Sequence, residues 1–181
     1  MLGEPSFYAA ALPVPKDGSV LEIGCGAGLI ALTAAKRGAA KVLATDISPA
    51  AVANCKANAA SCGLANVVTA RLSDVFSAVA ADEHFDLIFW NFPAVDAPRD
   101  EYDPLECSVF DPGYQSIGRY LRDAGGHLSP GGRALFGFSD VVGNGALLEQ
   151  RAAEAGASLS VYQTREYSNG VRVKMLEITY H

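Results

Sequence analysis

The stretch Val20-Leu-Glu-Ile-Gly-Cys-Gly-Ala-Gly28, followed by an apolar helical pattern and then by Ala44-Thr-Asp46, decides the reading of this chain. A buried strand runs into a turn of closely spaced glycines, a helix opens behind it, and a second strand ends on a carboxylate. That order builds a nucleotide pocket from backbone and one acid. The spacing of the glycines then says which nucleotide.

Outward from this stretch, residues 5–12 read as a short helix, ended by Pro13-Val-Pro15-Lys-Asp-Gly18. Residues 19–23 are an apolar strand, and 27–37 a helix stopped by Gly38. Residues 41–45 form the second strand. Ser48 caps a helix over 49–61, with Pro49 in its first turn and Gly63 past its end. Strands follow at 66–71 and 85–90, separated by a helical or turn segment over 73–79. Residues 114–128 read as a helix with Ile117, Tyr120 and Leu121 on one face, 129–132 as a turn, 133–138 as a strand and 146–155 as the last helix. Two strands, 159–164 and 171–180, are joined by Tyr167-Ser-Asn-Gly170, whose Asn-Gly pair favours a hairpin. Strand and helix alternate and then two strands come in succession. The pattern predicts an α/β, doubly wound, mostly parallel sheet with one antiparallel strand at its edge, in a single domain over residues 1–181.

Half of the residues are hydrophobic and 19% are charged, an ordinary globular balance. No apolar run reaches the ~18 residues of a membrane helix. The first residues lack a basic start and an apolar signal core, so a cytoplasmic location is expected. The net charge is −6 and the basic residues are scattered. Nucleic-acid binders carry a basic face, so such a partner is not expected. Cys25, Cys55, Cys62 and Cys107 form no Cys-x-x-Cys pair and have no His at zinc spacing. Free buried or half-buried thiols are expected, and no metal.

Two readings compete for the glycine turn. A dinucleotide fingerprint is Gly-x-Gly-x-x-Gly, whereas this chain has Gly24, Gly26 and Gly28, with Leu29 where the third dinucleotide glycine belongs. Glu22 beside the turn repels a pyrophosphate and attracts a cationic amino acid. Glu22-Ile-Gly-Cys-Gly-Ala-Gly28 resembles motif I of the class I S-adenosylmethionine-dependent methyltransferases, and the likeness runs from the first strand to the final hairpin. The resemblance implies a Rossmann-like sheet of seven strands with an antiparallel C-terminal strand. It also implies S-adenosylmethionine as cofactor, near Glu22, Gly24, Cys25, Gly26, Gly28, Asp46, Ile47, Ser73, Asp74, Val75 and Asn91. Gly24 and Gly26 are expected to let the backbone approach the methionine part. Glu22 is expected to act near the amino group through water or the loop, Asp46 to accept from the ribose hydroxyls, and Asp74 from the adenine amino group. Helix capping is the alternative role for both aspartates.

The strand over 85–90 runs into Asn91-Phe-Pro-Ala94. This is similar to the Asn-Pro-Pro-Tyr of enzymes that methylate planar nitrogen and to the Asn-aliphatic pattern of ribosomal protein methyltransferases, and identical to neither. The resemblance implies catalytic roles for Asn91, Phe92 and Pro93. The asparagine oxygen and the next carbonyl accept hydrogens from the target nitrogen. Ala94 replaces the aromatic of the motif, so a stacking ring is expected from Trp90 or Phe92 if not from the core. Residues 92–113 make a long connection, and such loops are usually functional or disordered. Asp96, Asp100 and Asp111 contribute to its acidity, read either as a lid for a cationic acceptor or as a solvated face. Asp111-Pro-Gly113 resembles the Asp-Gly-Gly segment of small-domain methyltransferases, implying a supporting role for Asp111. Phe7 or Tyr8 is expected to close the pocket. No separate target-recognition domain is expected ahead of the Glu4-Pro-Ser-Phe7-Tyr8 segment, and this expectation, with the acidic charge, favours a small molecule or short peptide as acceptor. The leading expectation is N-methylation of an amine, amide or peptide side chain. An O- or S-methyltransferase and a non-catalytic cofactor-binding subunit stay open.

Overall fold

The computed structural model describes residues 5–97 and 108–181. In chain order these form α1 (Pro5–Ala11), β1 (Ser19–Ile23), α2 (Leu29–Lys36), β2 (Lys41–Asp46), α3 (Pro49–Ser61), β3 (Val68–Leu72), β4 (Phe85–Trp90), α4 (Gln115–Asp123), β5 (Leu128–Ser139), α5 (Gly145–Glu154), β6 (Ala157–Glu166) and β7 (Arg172–Tyr180). Short 3-10 turns, Pro112–Tyr114 and Ala124–His127, flank α4. No described helix is long and apolar enough to cross a membrane.

The strands make one sheet of seven in the order β3-β2-β1-β4-β5-β7-β6. The first five pair in parallel, and β7 is antiparallel to both of its neighbours. The antiparallel strand was expected at the edge; it lies inside, between β5 and β6. The cause is apolarity. β7 buries Val173, Met175, Leu176 and Ile178, whereas β6 is mostly exposed and takes the edge.

Central strands are apolar on both sides because both sheet faces are covered. Ile23, Ile88 and Phe136 pack with Ile117 and Tyr120 of α4 and Leu148 of α5. Val20, Phe89 and Leu135 pack with α1, Ile30 and Ala34 of α2, and Cys55 of α3. Phe7 and Tyr8 belong to this second core, their rings 5.2 Å apart and Tyr8 5.6 Å from Phe89. They anchor α1 to the sheet; neither stands over the main cavity. Among the described residues no helix crosses between β3 and β4. Turns fill the gap, and Phe76 stacks on Tyr120 at 5.8 Å and on His127 at 4.9 Å. Tyr120 also donates from its hydroxyl to the Leu135 carbonyl at 2.7 Å, tying α4 to β5.

Two local differences have physical causes. The expected turn at 129–132 is a bulge inside β5: pairing with β4 jumps from Phe85↔Leu128 to Leu87↔Arg133. A Cβ on Gly132 would lie 2.7 Å from the Phe85 carbonyl oxygen, so only glycine fits the bulge. The helix expected over 114–128 begins at Gln115 and tightens at Ala124, where Gly125 and Gly126 weaken it.

Strand order reverses between β1 and β4, which opens a crevice at the carboxyl ends of these strands. Two residues of the glycine stretch support that place from below. Gly28 starts α2 at φ 84°, donates to the Cys25 carbonyl at 2.7 Å, and would place a Cβ 2.7 Å from the Cys55 sulfur of α3. Glu22 is buried, and its Oε2 accepts from the Ala31 N–H of α2 at 2.8 Å. Its carboxylate therefore holds the helix behind the turn instead of reaching an amino group directly. Burial pushes its pKa well above the usual carboxylate range.

Gly28→Ala is expected to destabilise the fold by about 1–3 kcal/mol, through strain at positive φ and crowding against Cys55, as read by denaturant unfolding. The Glu22 proton is held more tightly in the native state than in the unfolded chain. Stability from this group is therefore complete below the ordinary carboxylate pKa and is lost as pH rises through the raised native value. Melting temperatures across that range should show Glu22→Gln gaining on the parent protein as pH rises; a pH-independent difference would count against the burial argument.

Candidate active site

The crevice holds a cavity of about 880 Å³, lined by Gly24 and Gly26 after β1, Asp46 and Ile47 after β2, Ser73, Asp74 and Val75 after β3, and Trp90, Asn91 and Pro93 at the end of β4. Its size is that of a small-molecule site. Asp111, Tyr114 and α4 residues complete the wall.

The glycine turn is locked from within. Asp46 Oδ2 accepts from the Gly26 N–H at 2.9 Å, and its Oδ1 from the Ser48 N–H at 2.8 Å. The Cys25 N–H goes to the Thr45 carbonyl at 2.9 Å. These bonds commit the amides that a pyrophosphate would need, and they set a carboxylate in its way. The cap of α3 is the Ser48 hydroxyl, which accepts from the Ala51 N–H, so Asp46 is not the capping residue. The glycines differ in what they spare. At Gly26 nothing lies within 4 Å of where a Cβ would be, leaving the turn open, whereas at Gly24 a Cβ would fall 2.6 Å from Trp90 Nε1. Gly24 thus admits the indole of this chain. Cys25 and Cys55 are buried free thiols and Cys62 is an exposed one, the last more open than the sequence suggests; Cys107 lies outside the described residues.

Asp74 neither caps a helix nor stands free. Arg119 of α4 binds both of its oxygens, at 2.7 and 2.9 Å. The turn beneath is pinned by Ser73, whose hydroxyl donates to the Val75 carbonyl at 2.9 Å and accepts from the Ala78 N–H at 3.0 Å. That turn forces Val75 to φ 50°, a left-handed conformation that a β-branched residue adopts only when its surroundings impose it.

Asn91 is exposed where β4 ends, and it also borders a second, small cavity with Tyr8 and Gly137. A Cβ on Gly137 would come within 2.8 Å of the Asn91 side-chain oxygen and 2.6 Å of Tyr8 Cζ. Gly137 of β5 therefore makes room for Asn91, and Tyr8 backs it. The Phe92 ring is turned into the core, 5.5 Å from Tyr114 and 6.3 Å from Phe138. Only the backbone of Phe92 remains for chemistry. Trp90 is likewise a wall residue, packed 5.5 Å from Tyr120, and not part of a lid.

The acidic connection is not a set of free charges where it is described. Asp96 accepts from the Gly113 N–H at 2.8 Å and from Asn144 at 3.2 Å. Asp111 is buried and accepts from the Ser116 and Ile117 N–H groups, so it caps α4. Both acids are supports. Asp100 lies outside the described residues. Sequence reasoning missed Arg119, Arg122, Arg151 and Phe110 on the cavity wall. The signal for two of them was helical spacing: Ser116, Arg119 and Arg122 recur every three residues, away from the Ile117–Tyr120–Leu121 face.

These residues suit S-adenosylmethionine. Asp46 offers a carboxylate to a hydroxyl pair, Gly26 leaves an open cradle, Ile47 gives an apolar surface, and the committed amides disfavour phosphate.

The comparisons agree. The model of the methyltransferase small domain matches residues 5–155. The chain is 43% identical over 138 residues to the release factor glutamine methyltransferase of Cereibacter sphaeroides, covering 70% of this chain and 48% of that protein. It spans about half the length of the curated relatives it matches. The crystal structure of the ribosomal protein L11 methylase from Lactobacillus delbrueckii subsp. bulgaricus shares the fold, with TM-score 0.69 and 21% identity over 97% of this chain and 76% of that one. So does a 16S rRNA methyltransferase of T. thermophilus in complex with AdoMet and guanosine, with TM-score 0.67 and 20% identity over 99% of this chain and 44% of that one. By the family match, this chain belongs to the methyltransferase small-domain family of S-adenosylmethionine-dependent methyltransferases.

Proposed function

We propose that the chain methylates a planar nitrogen, namely the side-chain amide of a glutamine-like residue in a peptide or protein. The observation that carries this is Asn91 at the cavity end of β4, followed by the Phe92 carbonyl and by Pro93 in the cavity wall. The 43% identical relative, named for glutamine of a release factor, supports the same acceptor class.

S-adenosylmethionine, when bound, supplies an electrophilic methyl carbon on a sulfonium. The protein's task is then orientation, which contributes roughly 7–11 kcal/mol in well-aligned reactions. The Asn91 oxygen and the Phe92 carbonyl each accept one hydrogen of an amide NH₂, which localises the lone pair and aims it at the methyl donor. Gly137 and Tyr8 hold Asn91 in that position. Pro93 removes one competing backbone N–H from the site. Phe110, on the cavity wall, is the ring best placed to cover a planar acceptor in place of the aromatic that Ala94 lacks.

The charges favour an amide over an alkyl ammonium. Deprotonating an amine of pKa about 10.4 at neutral pH costs roughly 4–5 kcal/mol. A base for that step is missing among the described cavity acids: Asp46 binds the turn, Asp74 binds Arg119, Asp111 caps α4, and Glu154 pairs with Arg151 at 2.7 Å. An amide nitrogen needs no prior deprotonation; on taking the methyl, with the thioether of S-adenosylhomocysteine as leaving group, it would shed one of its two hydrogens past the Asn91 oxygen or the Phe92 carbonyl to water.

Transfer of a labelled methyl group into glutamine-containing peptides, followed by protease digestion and fragmentation mass spectrometry, tests the reading; label on a glutamine side-chain nitrogen is expected, and label on oxygen or sulfur only would overturn it. Asn91→Ala should lower turnover by about a hundredfold or more while S-adenosylhomocysteine affinity stays within about twofold, a split read by kinetics and calorimetry on the same preparation. Asp46→Ala should weaken S-adenosylhomocysteine binding about tenfold or more, since it loses the proposed ribose contact and releases Gly26.

A further inference from the structure

Trp90 is the one tryptophan of the chain. It is 7% exposed, lines the main cavity and packs against Tyr120 and Phe92. An indole N–H on a cavity wall seeks a hydrogen-bond partner. The Nε1–H of Trp90 has no acceptor among the described residues and is not fully buried, so it is open to the cavity that Trp90 lines. It lies 2.6 Å from where a Gly24 Cβ would be, so it sits against the glycine turn.

The turn needs such a donor. Its Cys25, Gly26 and Gly28 amides are already bonded to Thr45, Asp46 and Cys25. With Asp46 suited to the ribose, and Ile47 and Val75 to the base, the Gly24–Gly26 side is left for the amino-acid end of S-adenosylmethionine. The ammonium and the sulfonium there cannot accept a hydrogen bond; the carboxylate can. A carboxylate seated between the glycine turn and Asp46 is favoured by a donor at that place, since the cavity's arginines lie on the α4 and α5 side.

We propose that Trp90 is a cofactor-binding residue whose indole N–H donates to the carboxylate of S-adenosylmethionine. Gly24 is glycine so that the indole can reach this place. The inference rests on the cofactor alone and is independent of the acceptor, so its test uses no methyl transfer.

A single tryptophan gives a single indole resonance in nitrogen-15-labelled protein. S-adenosylhomocysteine should shift its proton downfield, and 5′-methylthioadenosine, which keeps the adenosine and the sulfur but lacks the amino acid, should leave it nearly in place. Equal shifts with both compounds, or a shift with neither, would overturn the assignment. In calorimetry, Trp90→Phe should weaken S-adenosylhomocysteine roughly tenfold or more and 5′-methylthioadenosine by less than about twofold; equal losses would overturn it. If the variant fails to fold, the resonance of the parent protein decides.

Discussion

The Asp46 carboxylate joins the end of β2 to the Gly26 amide of the neighbouring turn and to the Ser48 amide that begins the next helical connection. One side chain thus fixes the relative position of three backbone segments at the switch in strand order. Without it the glycine turn has an unbonded amide and α3 loses the geometry of its entry. The same oxygens face the cavity, so the group that shapes the site is also the group best suited to hold a ribose. In the proposed mode of cofactor binding, a single carboxylate would serve both binding and local architecture.

The charges around the cavity follow a common rule: nearly every acid is committed before a ligand arrives. Glu22 holds α2, Asp111 holds α4, Asp96 holds the Gly113 turn, and Asp74 holds Arg119. These bonds fix the strand ends and helix starts around the cavity. They also neutralise a site that composition alone makes look acidic. Arg119 is its counterpart, tying α4 to the turn after β3, while Arg151 of α5 donates to the Gly113 carbonyl ahead of α4.

Much of the fold was legible because it is written locally. The bounds of β1, α3 and β4 match the sequence reading residue for residue, since apolar runs and caps lie next to each other in the chain. What escaped was non-local. Placement of β7 depends on a comparison of β6 and β7 as partners for β5, and the bulge of β5 depends on the Phe85 carbonyl across the sheet. In the site, Gly24, Gly26, Asp46, Asp74, Asn91 and Pro93 were readable and all line one cavity, whereas Gly28 lies behind it. The direction of side chains was not. Phe7, Tyr8 and the Phe92 ring looked available in sequence because aromatics beside a motif serve core or pocket equally well, and only packing decides. The Asp74–Arg119 pair joins residues 45 positions apart and left no local trace.

The interior position of β7 has a consequence for synthesis. The ribosome delivers β6 before β7, yet among the described residues β6 pairs only with β7. Until the hairpin turns back, β5 shows an open flank with Leu135 and Phe136 beside it, and β6 waits unpaired. Nascent chains of this architecture therefore carry a sticky border until β7 has been made. The polar, charged character of β6, which looks wasteful for a strand, keeps that waiting segment from pairing with the wrong neighbour.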